Sequence, residues 1–474
     1  MLEIRRKKRD RRFGEMRGKI RVKTVCEVVF AGKCDAAVIS ERKGLTMTRE
    51  EIFNLSDSAI KKEADFIMGI GKELWAHPET GYRETASSAL LVKALEKFGF
   101  KVTTGLAITG FRAELDTGKP GPTVAVMGEF DALIIPGHPE AVDGVVHSCG
   151  HNTSAAGLIG AAIGLKAAVE SGELCGKIVF IGTPAEEGIE LEYRQSLVDA
   201  GKIRSIAGKS QLIRERVLDD VDMAVMHHAS NRYGFNDHNG SVCKKIIFTG
   251  KSCHAAAPQN GINALNAMNL ALHAIALLRE SYSHSSFVRF HGIVSDGGKS
   301  VNILPDRVEM DYMLRAEKVE TLLEVNKRFD NAVTHAAAAA ECGCRINTMH
   351  YSMPLYDDMD LGAELRDATL ELFPGVKFNF NEYFMASCTD MGDVSVIMPA
   401  VHGYVPCMTG TSHGVDYYIT DYYSGCISPA RISAKLVIEL LSNNAEKGRK
   451  IAAKKANMMS VDEYIRTIDE ISGF

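Results

Sequence analysis

The sequence predicts an α/β protein built on a central mixed sheet, with a second, ferredoxin-like module inserted into it. Three observations carry this expectation. Apolar runs at 123–133 (TVAVMGEFDAL), 176–184 (GKIVFIGTP) and 221–228 (VDMAVMHH) have the length and hydrophobicity of buried strands. Helical patterning alternates with them, as in an α/β sheet. From about 240 to 352 the order becomes strand–helix–strand–strand–helix–strand, the split βαβ arrangement, which is complete in itself.

Composition sets the limits. A chain of 474 residues is too long for one ordinary domain and long enough to bury a large core. With 46% hydrophobic and 24% charged residues it has a globular profile, and the net charge of −5 supplies no global basic field for nucleic acid. No run of about eighteen apolar residues occurs, so no membrane span is expected. The 11 cysteines are odd in number and follow no framework spacing, which fits reduced thiols in a cytoplasmic protein.

Residues 1–46 differ from the rest. MLEIRRKKRDRRFGEMRGKIRVK is basic and poor in core-forming residues. It is expected to be an unstructured extension or the product of an upstream start codon, with a nucleic-acid or membrane-contacting arm and a transit peptide as the other readings. Helical patterning begins after Met47, with Thr48 as N-cap and Glu51 three residues on. Helices are expected over 48–76 and 84–98, then strands at KVTTGL and FRAELD. The run at 123–133 carries Glu129 and Asp131 at its carboxyl end, where open α/β sheets collect ligands.

A helix follows over 153–171. Its Gly157, Gly160 and Gly164 could imitate a dinucleotide loop, but no strand runs directly into them, so close helix packing is expected. The run at 176–184 leads to Glu186 and Glu187, and the run at 221–228 ends in His227 and His228. In the insert, SVCKKIIFTGKSCHA is strand-like and a helix spans 262–281. FVRFHGIV and DRVEMDYMLRA are strands, a helix lies near 317–341, and RINTMHYS closes the module. Helix, strand and loop return after it, with TGTSHGVDY at 409–417 and a closing helix at 428–442. The expected organisation is a first domain of 47–239 and 353–445, an insert of 240–352, and a C-terminal helical tail of 446–474.

The chemistry is concentrated in two short stretches, HSCGHN at 147–152 and GTPAEEG at 182–188. Cys149, His151 and the Glu186–Glu187 pair together are the ligand set of zinc or a similar divalent ion. A second carboxylate adjacent to a ligating one is what metal-assisted hydrolysis needs as a general base. Three strand ends thus deliver acidic and imidazole groups in turn, which points to one shared site and to a metal-dependent hydrolase.

With GEFDAL, HSCGHN, PAEEG, the strand ending at His228, GKSCHAAAP, VNILPD, the MGDVS stretch at 391–395 and TSHG at 411–414 assembled, the chain resembles the carboxypeptidase-G and aminoacylase-like metallopeptidases. More narrowly it is similar to the amidohydrolase branch of aminobenzoyl-glutamate hydrolase subunits, hippurate hydrolases and plant auxin-conjugate hydrolases. The motifs occur in the family's order over roughly residues 50–445. Asn152 stands where much of this branch has Asp, and resembles the aminobenzoyl-glutamate and dipeptidase side.

The resemblance implies a catalytic α/β domain holding two divalent metal ions, Zn or Mn, and an inserted lid domain that makes a homodimer. It implies metal ligation by Cys149, His151, Glu187, His228 and His413. Strand alternation allows only one of His227 and His228 on that face, and the family's register favours His228. Glu186 would take the proton of the attacking water and pass it to the leaving nitrogen, and Asp131 would orient a ligand imidazole. His254 would reach the partner subunit's active site to stabilise the oxyanion. Asn302 and Arg315 are candidates for gripping a substrate carboxylate, with a sheet-edge charge as the other reading of Arg315. The expected substrate is a small N-acyl amino acid, an aminobenzoyl-glutamate-like conjugate or a dipeptide, with no nucleic-acid or membrane partner. Two other readings stay open: a non-catalytic scaffold or binding subunit of a heteromeric hydrolase, and a nucleic-acid-associated protein suggested only by the basic N-terminus.

Overall fold

The computed structural model describes residues 47–473. The basic segment 1–46, and with it the expectation of a disordered extension, lies outside the described residues. The first helix begins where its cap predicts. Thr48 Oγ1 accepts from the Glu51 N–H at 3.2 Å, and Glu51 accepts from the Thr48 N–H at 2.9 Å, a reciprocal box that satisfies two end groups. The single helix expected over 48–76 is two, Arg49–Lys62 and Ala64–Ala76, because Glu63 leaves helical geometry at φ −100°, ψ 14°.

The main sheet has eight strands. Its centre is four parallel strands in the order Lys177–Thr183, Thr123–Glu129, Met223–Ser230 and Ala400–Pro406. Gly110–Asp116 and then Val102–Leu106 add antiparallel on one side, and Tyr233–Phe235 with Phe378–Phe380 extends the other, so the sheet is mixed. Thr123–Glu129 is buried at every position, as expected for a strand covered on both faces. The expected 123–133 strand is shorter because the chain leaves the sheet after Glu129, and Leu133–Ile134 pairs instead with Val145–Val146.

Helix His151–Val169 runs through the core, buried over nearly its whole length. Its three glycines set how closely the neighbours approach. A Cβ at Gly160 would lie 2.7 Å from the Ala430 Cβ, and one at Gly164 would lie 2.6 Å from Ile60 Cδ1. These are contacts with the Ser428–Leu441 and Arg49–Lys62 helices. The glycines serve helix packing.

The insert forms its own four-stranded antiparallel sheet, ordered Arg289–Asp296, Arg307–Ala316, Gly240–Thr249, Gly343–Ser352. Helices Ala264–Arg279 and Val319–Ala339 bury Met268, Ile275, Val325 and Phe329 with Ile246, Phe248, Val308 and Met310 of the sheet. This is the ferredoxin-like arrangement. The strand expected through 255 ends at Thr249. The final helix, Val461–Ser472, buries Tyr464, Ile468 and Ile471, and the Tyr464 hydroxyl donates to Asp393 at 2.8 Å. Among the described residues no helix is long and apolar enough to cross a membrane.

Replacing Gly160 by Val should therefore lower stability by roughly 1–3 kcal/mol through overpacking. The measurement is a denaturant midpoint; one equal to the parent protein's would show that the helix faces are not in contact.

Candidate metal centre

Parallel strands aligned in register present their carboxyl ends at one edge, and the reactive side chains gather there. Glu129 ends its strand and Asp131 follows two residues on, Glu186 and Glu187 follow Lys177–Thr183, and His228 lies within Met223–Ser230. His151 is the first residue of the core helix. Gly150, just before it, has φ 85°, and a Cβ there would lie 2.4 Å from the Ala229 Cβ. Only glycine fits this turn. It brings Cys149 Sγ to 3.3 Å from His228 Nε2.

Asp131 fixes two of these groups at once. Its Oδ1 lies 2.9 Å from His151 Nδ1 and its Oδ2 accepts the Glu187 N–H at 2.8 Å. With Nδ1 engaged, His151 turns Nε2 inward, 3.3 Å from Glu129 Oε2 and 4.0 Å from carboxylate oxygens of both Glu186 and Glu187. His413 Nε2 closes the group at 3.5 Å from Glu187 Oε1.

The Glu186–Glu187 loop is held by its backbone. Ala185, at φ 53°, donates its N–H to buried Glu84 at 2.8 Å. The wholly buried Arg194 donates to the Ala185 and Glu187 carbonyls, and the Tyr351 hydroxyl donates to the Glu186 carbonyl at 2.7 Å. Three consecutive residues are thereby fixed without using either carboxylate.

Burying so many acids together shifts them. Burial, reinforced by Glu129 and Glu187, pushes the Glu186 carboxyl well above the usual range. Burial and then Asp131 push Glu84 up to about 8. Burial and then Glu187 raise the Cys149 thiol, and burial lowers His228 to about 4. A divalent cation reverses this for the thiol, since coordination removes its proton.

The residues fit such a cation. Glu129 Oε2, His151 Nε2 and Glu187 Oε1 are buried with no hydrogen-bond partner, a concentration that native interiors rarely leave unfilled. Donor atoms within 4.8 Å of one another form the trios Cys149–His151–His228 and Cys149–Glu187–His413. These share the thiol and together accommodate two divalent ions.

A cavity of about 550 Å³ opens onto this centre, lined by Cys149, Glu186, Glu187, His228, His413 and Arg315 among others. His227 points to the opposite face, with Nδ1 3.0 Å from Ser433 Oγ. His254 and Asn302 are exposed on the insert, outside the cavity of their own chain. The His254 ring accepts the Ala256 N–H at 3.0 Å, and Asn302 accepts from Ser300.

Sequence reasoning missed Lys209 and Asp390. Buried Lys209 Nζ bridges Glu129 and Asp390, while its N–H donates to Asp390 Oδ2 at 2.9 Å. The two acids hold the lysine charged against its burial. A lone lysine in an unrecognised short helix, Gly208–Arg214, gave no signal. His402 and Tyr404, also missed, lie on the strand beside His228. Tyr404 pairs directly with His228, and His402 shares its face.

Comparison with known proteins agrees with this fold. A family model described as a peptidase dimerisation domain matches residues 236–341. The Xaa-Arg dipeptidase of Mus musculus is 28% identical over 382 residues, covering 76% of this chain and 80% of that protein. One of the p-aminobenzoyl-glutamate hydrolase subunits of Escherichia coli K12 is 30% identical over 311 residues, covering 62% of this chain and 59% of that protein. The Bacillus subtilis YXEP protein, a dinuclear metal binding peptidase from the M20 family, shares the fold. Its TM-score is 0.59 at 20% identity, over 80% of this chain and 99% of that one. The fold and the donor set together define a metal-dependent hydrolase of the amidohydrolase and peptidase type. The chain is similar to the M20 peptidase and amidohydrolase family, with the aminobenzoyl-glutamate hydrolase branch within it.

The two adjacent histidines give a clean contrast. His228→Ala should lower bound divalent metal by at least one ion per chain in elemental analysis, whereas His227→Ala should keep the metal. The reverse pattern would place His227 in the centre.

Proposed function

We propose that this protein is a two-metal amidohydrolase that cleaves the amide joining an acyl group to an amino acid. N-acyl amino acids, aminobenzoyl-glutamate-like conjugates and dipeptides form its substrate range. The carrying observation is the placement of Glu186: buried, facing the cavity, and adjacent to the two overlapping donor trios. The names of the mouse and E. coli relatives, a dipeptidase and a hydrolase of an acyl-glutamate, support the same class.

In this reading Cys149, His151, Glu187, His228 and His413 would hold the ions, and Asp131 keeps His151 turned toward them. When bound, the metals supply Lewis acidity to the scissile carbonyl and to water. Glu186 takes a proton from the attacking water and delivers it to the leaving nitrogen. Its raised affinity for a proton suits this transfer, since a base far below neutral pH would hold the proton too weakly to pass it on. Arg315 grips the substrate carboxylate. Thiolate favours Zn, while the imidazole and carboxylate ligands suit Mn equally. Nine unpaired cysteines among the described residues support a reducing, cytoplasmic setting.

His254 and Asn302 belong to this reading only through a second copy. Both are exposed on the insert, within the segment that matches the dimerisation model. We therefore assign a homodimer in which the partner subunit's His254 faces the carbonyl oxygen.

Glu186→Gln should reduce turnover by roughly two to four orders of magnitude while bound metal stays at two ions. Loss of metal in Glu186→Gln but not in Glu187→Gln would reverse the two roles.

A mixing experiment tests the shared site. His254→Ala and Glu186→Gln, each impaired alone, should after subunit exchange give heterodimers with one intact site. Activity would then recover to as much as half that of the parent dimer. No recovery with exchange verified would confine His254 to its own chain.

A further inference from the structure

The wall of the cavity beyond His228 carries groups that the amide-cleaving machinery does not use. Arg232, four residues after His228, lines it half-buried. Its guanidinium stacks on the rings of Tyr404 and Tyr383, each 5.2 Å from ring centroid to Arg232 Cζ. One amino group donates to Asn236 Oδ1 at 2.9 Å, and the buried Nε has no partner. Among the described residues no carboxylate forms an ion pair with Arg232.

His402 lies on the same wall. It is 3% exposed, and neither ring nitrogen has a hydrogen-bond partner. Tyr404, between it and Arg232, is held by its hydroxyl against His238 Nε2, whose Nδ1 is in turn 3.0 Å from Ser387 Oγ. The stacking surface under the guanidinium is therefore fixed by a hydrogen-bonded chain and does not depend on substrate.

A second unpaired guanidinium faces the cavity from the insert. Arg315 donates to the Ala386 carbonyl at 3.2 Å, while Arg232 contacts Met385 Sδ at 3.5 Å. The two arginines thus flank the Met385–Ala386 segment, Arg315 from a strand of the insert and Arg232 from the bend that joins two strands of the main sheet. One guanidinium is enough for the carboxylate common to every N-acyl amino acid. A second, half-buried and with no acid of its own among the described residues, matches a further anion brought by the ligand. A structural role as a stacked cation would need neither the free Nε nor the free imidazole on the same wall.

We propose that Arg232, backed by Tyr383 and Tyr404 and assisted by His402, forms a second anion subsite, and that the preferred substrate carries a carboxylate beyond that of its amino-acid backbone. This rests on the amidohydrolase reading. The extra carboxylate is either the side chain of an acidic amino acid or the far end of a dicarboxylic acyl group.

The test uses the metal-loaded protein and two probe pairs differing by one charge. N-benzoyl-L-glutamate against N-benzoyl-L-glutamine places the charge on the amino acid. N-succinyl-L-alanine against its succinamoyl counterpart places it on the acyl group. In one pair the acid should be preferred in kcat/KM by about 10- to 100-fold, mostly through KM, the range of a charged hydrogen bond. Arg232→Gln should bring that ratio close to one, and Arg232→Lys should retain part of it. Parity in both pairs for the parent protein, or a preference untouched by Arg232→Gln, overturns the proposal. If Arg232→Gln does not fold, by thermal melting, the parent ratios and Arg232→Lys still decide. If none of the four probes is cleaved, the amidohydrolase reading fails for these amides. Calorimetric binding of glutarate against its monoamide then decides the subsite: tighter glutarate binding, weakened in Arg232→Lys, supports it, and equal binding overturns it.

Discussion

The burial of like charges around His151 is the constraint on which the rest of this structure depends. Glu129, Asp131, Glu186, Glu187 and Asp390 are all nearly inaccessible to solvent, and five acids cannot stay ionised in one interior without cations among them. Lys209 is one such cation, clamped between Glu129 and Asp390. At His151 burial pulls proton affinity down, but Glu129 and Cys149 draw it well above the ordinary range, a mark of the negative field around the ring. The partnerless oxygens of Glu129 and Glu187 mark where positive charge is still wanted. Divalent ions answer that need, so the centre's electrostatics and its chemistry are one requirement.

Holding those acids in place falls to groups outside the two donor trios. Asp131 binds the His151 ring and the Glu187 backbone together, so the imidazole and the acidic loop cannot move independently. Arg194, Glu84 and Tyr351 secure the carbonyls and amide of residues 185–187. Strain at Ala185, whose positive φ is unfavourable for a residue with a Cβ, is kept by these bonds. The cavity is lined from both modules, with Arg315 from the insert and Arg232 from a bend between two strands of the main sheet.

Much of this was legible in the chain. Runs of apolar residues ending in Glu129, Glu186–Glu187 and His227–His228 predicted strands whose ends meet, because parallel strands in one sheet must share an edge. The glycines at 157, 160 and 164 were readable as packing, since no strand fed them. Other features were not readable. Glu63 ends a helix that periodicity would continue, for its backbone breaks without proline or glycine. Choosing between His227 and His228 depended on which face of the strand meets the centre, and two adjacent histidines carry no mark of it.

Local pattern determined the fold class and most of the order of elements, because buried strands and capped helices write their period into the chain. The full donor set was implied by the resemblance of the motifs to a known family. Tertiary structure decided which donors share a centre, since Cys149, Glu187 and His413 come together only when distant loops close over one sheet edge. It also decided the partners of Lys209, which pairs with acids 80 and 181 residues away. The same holds for Arg232 and His402, whose free nitrogens are defined by what surrounds them. A buried charge is a property of its neighbours in space, and spacing along the chain does not encode them.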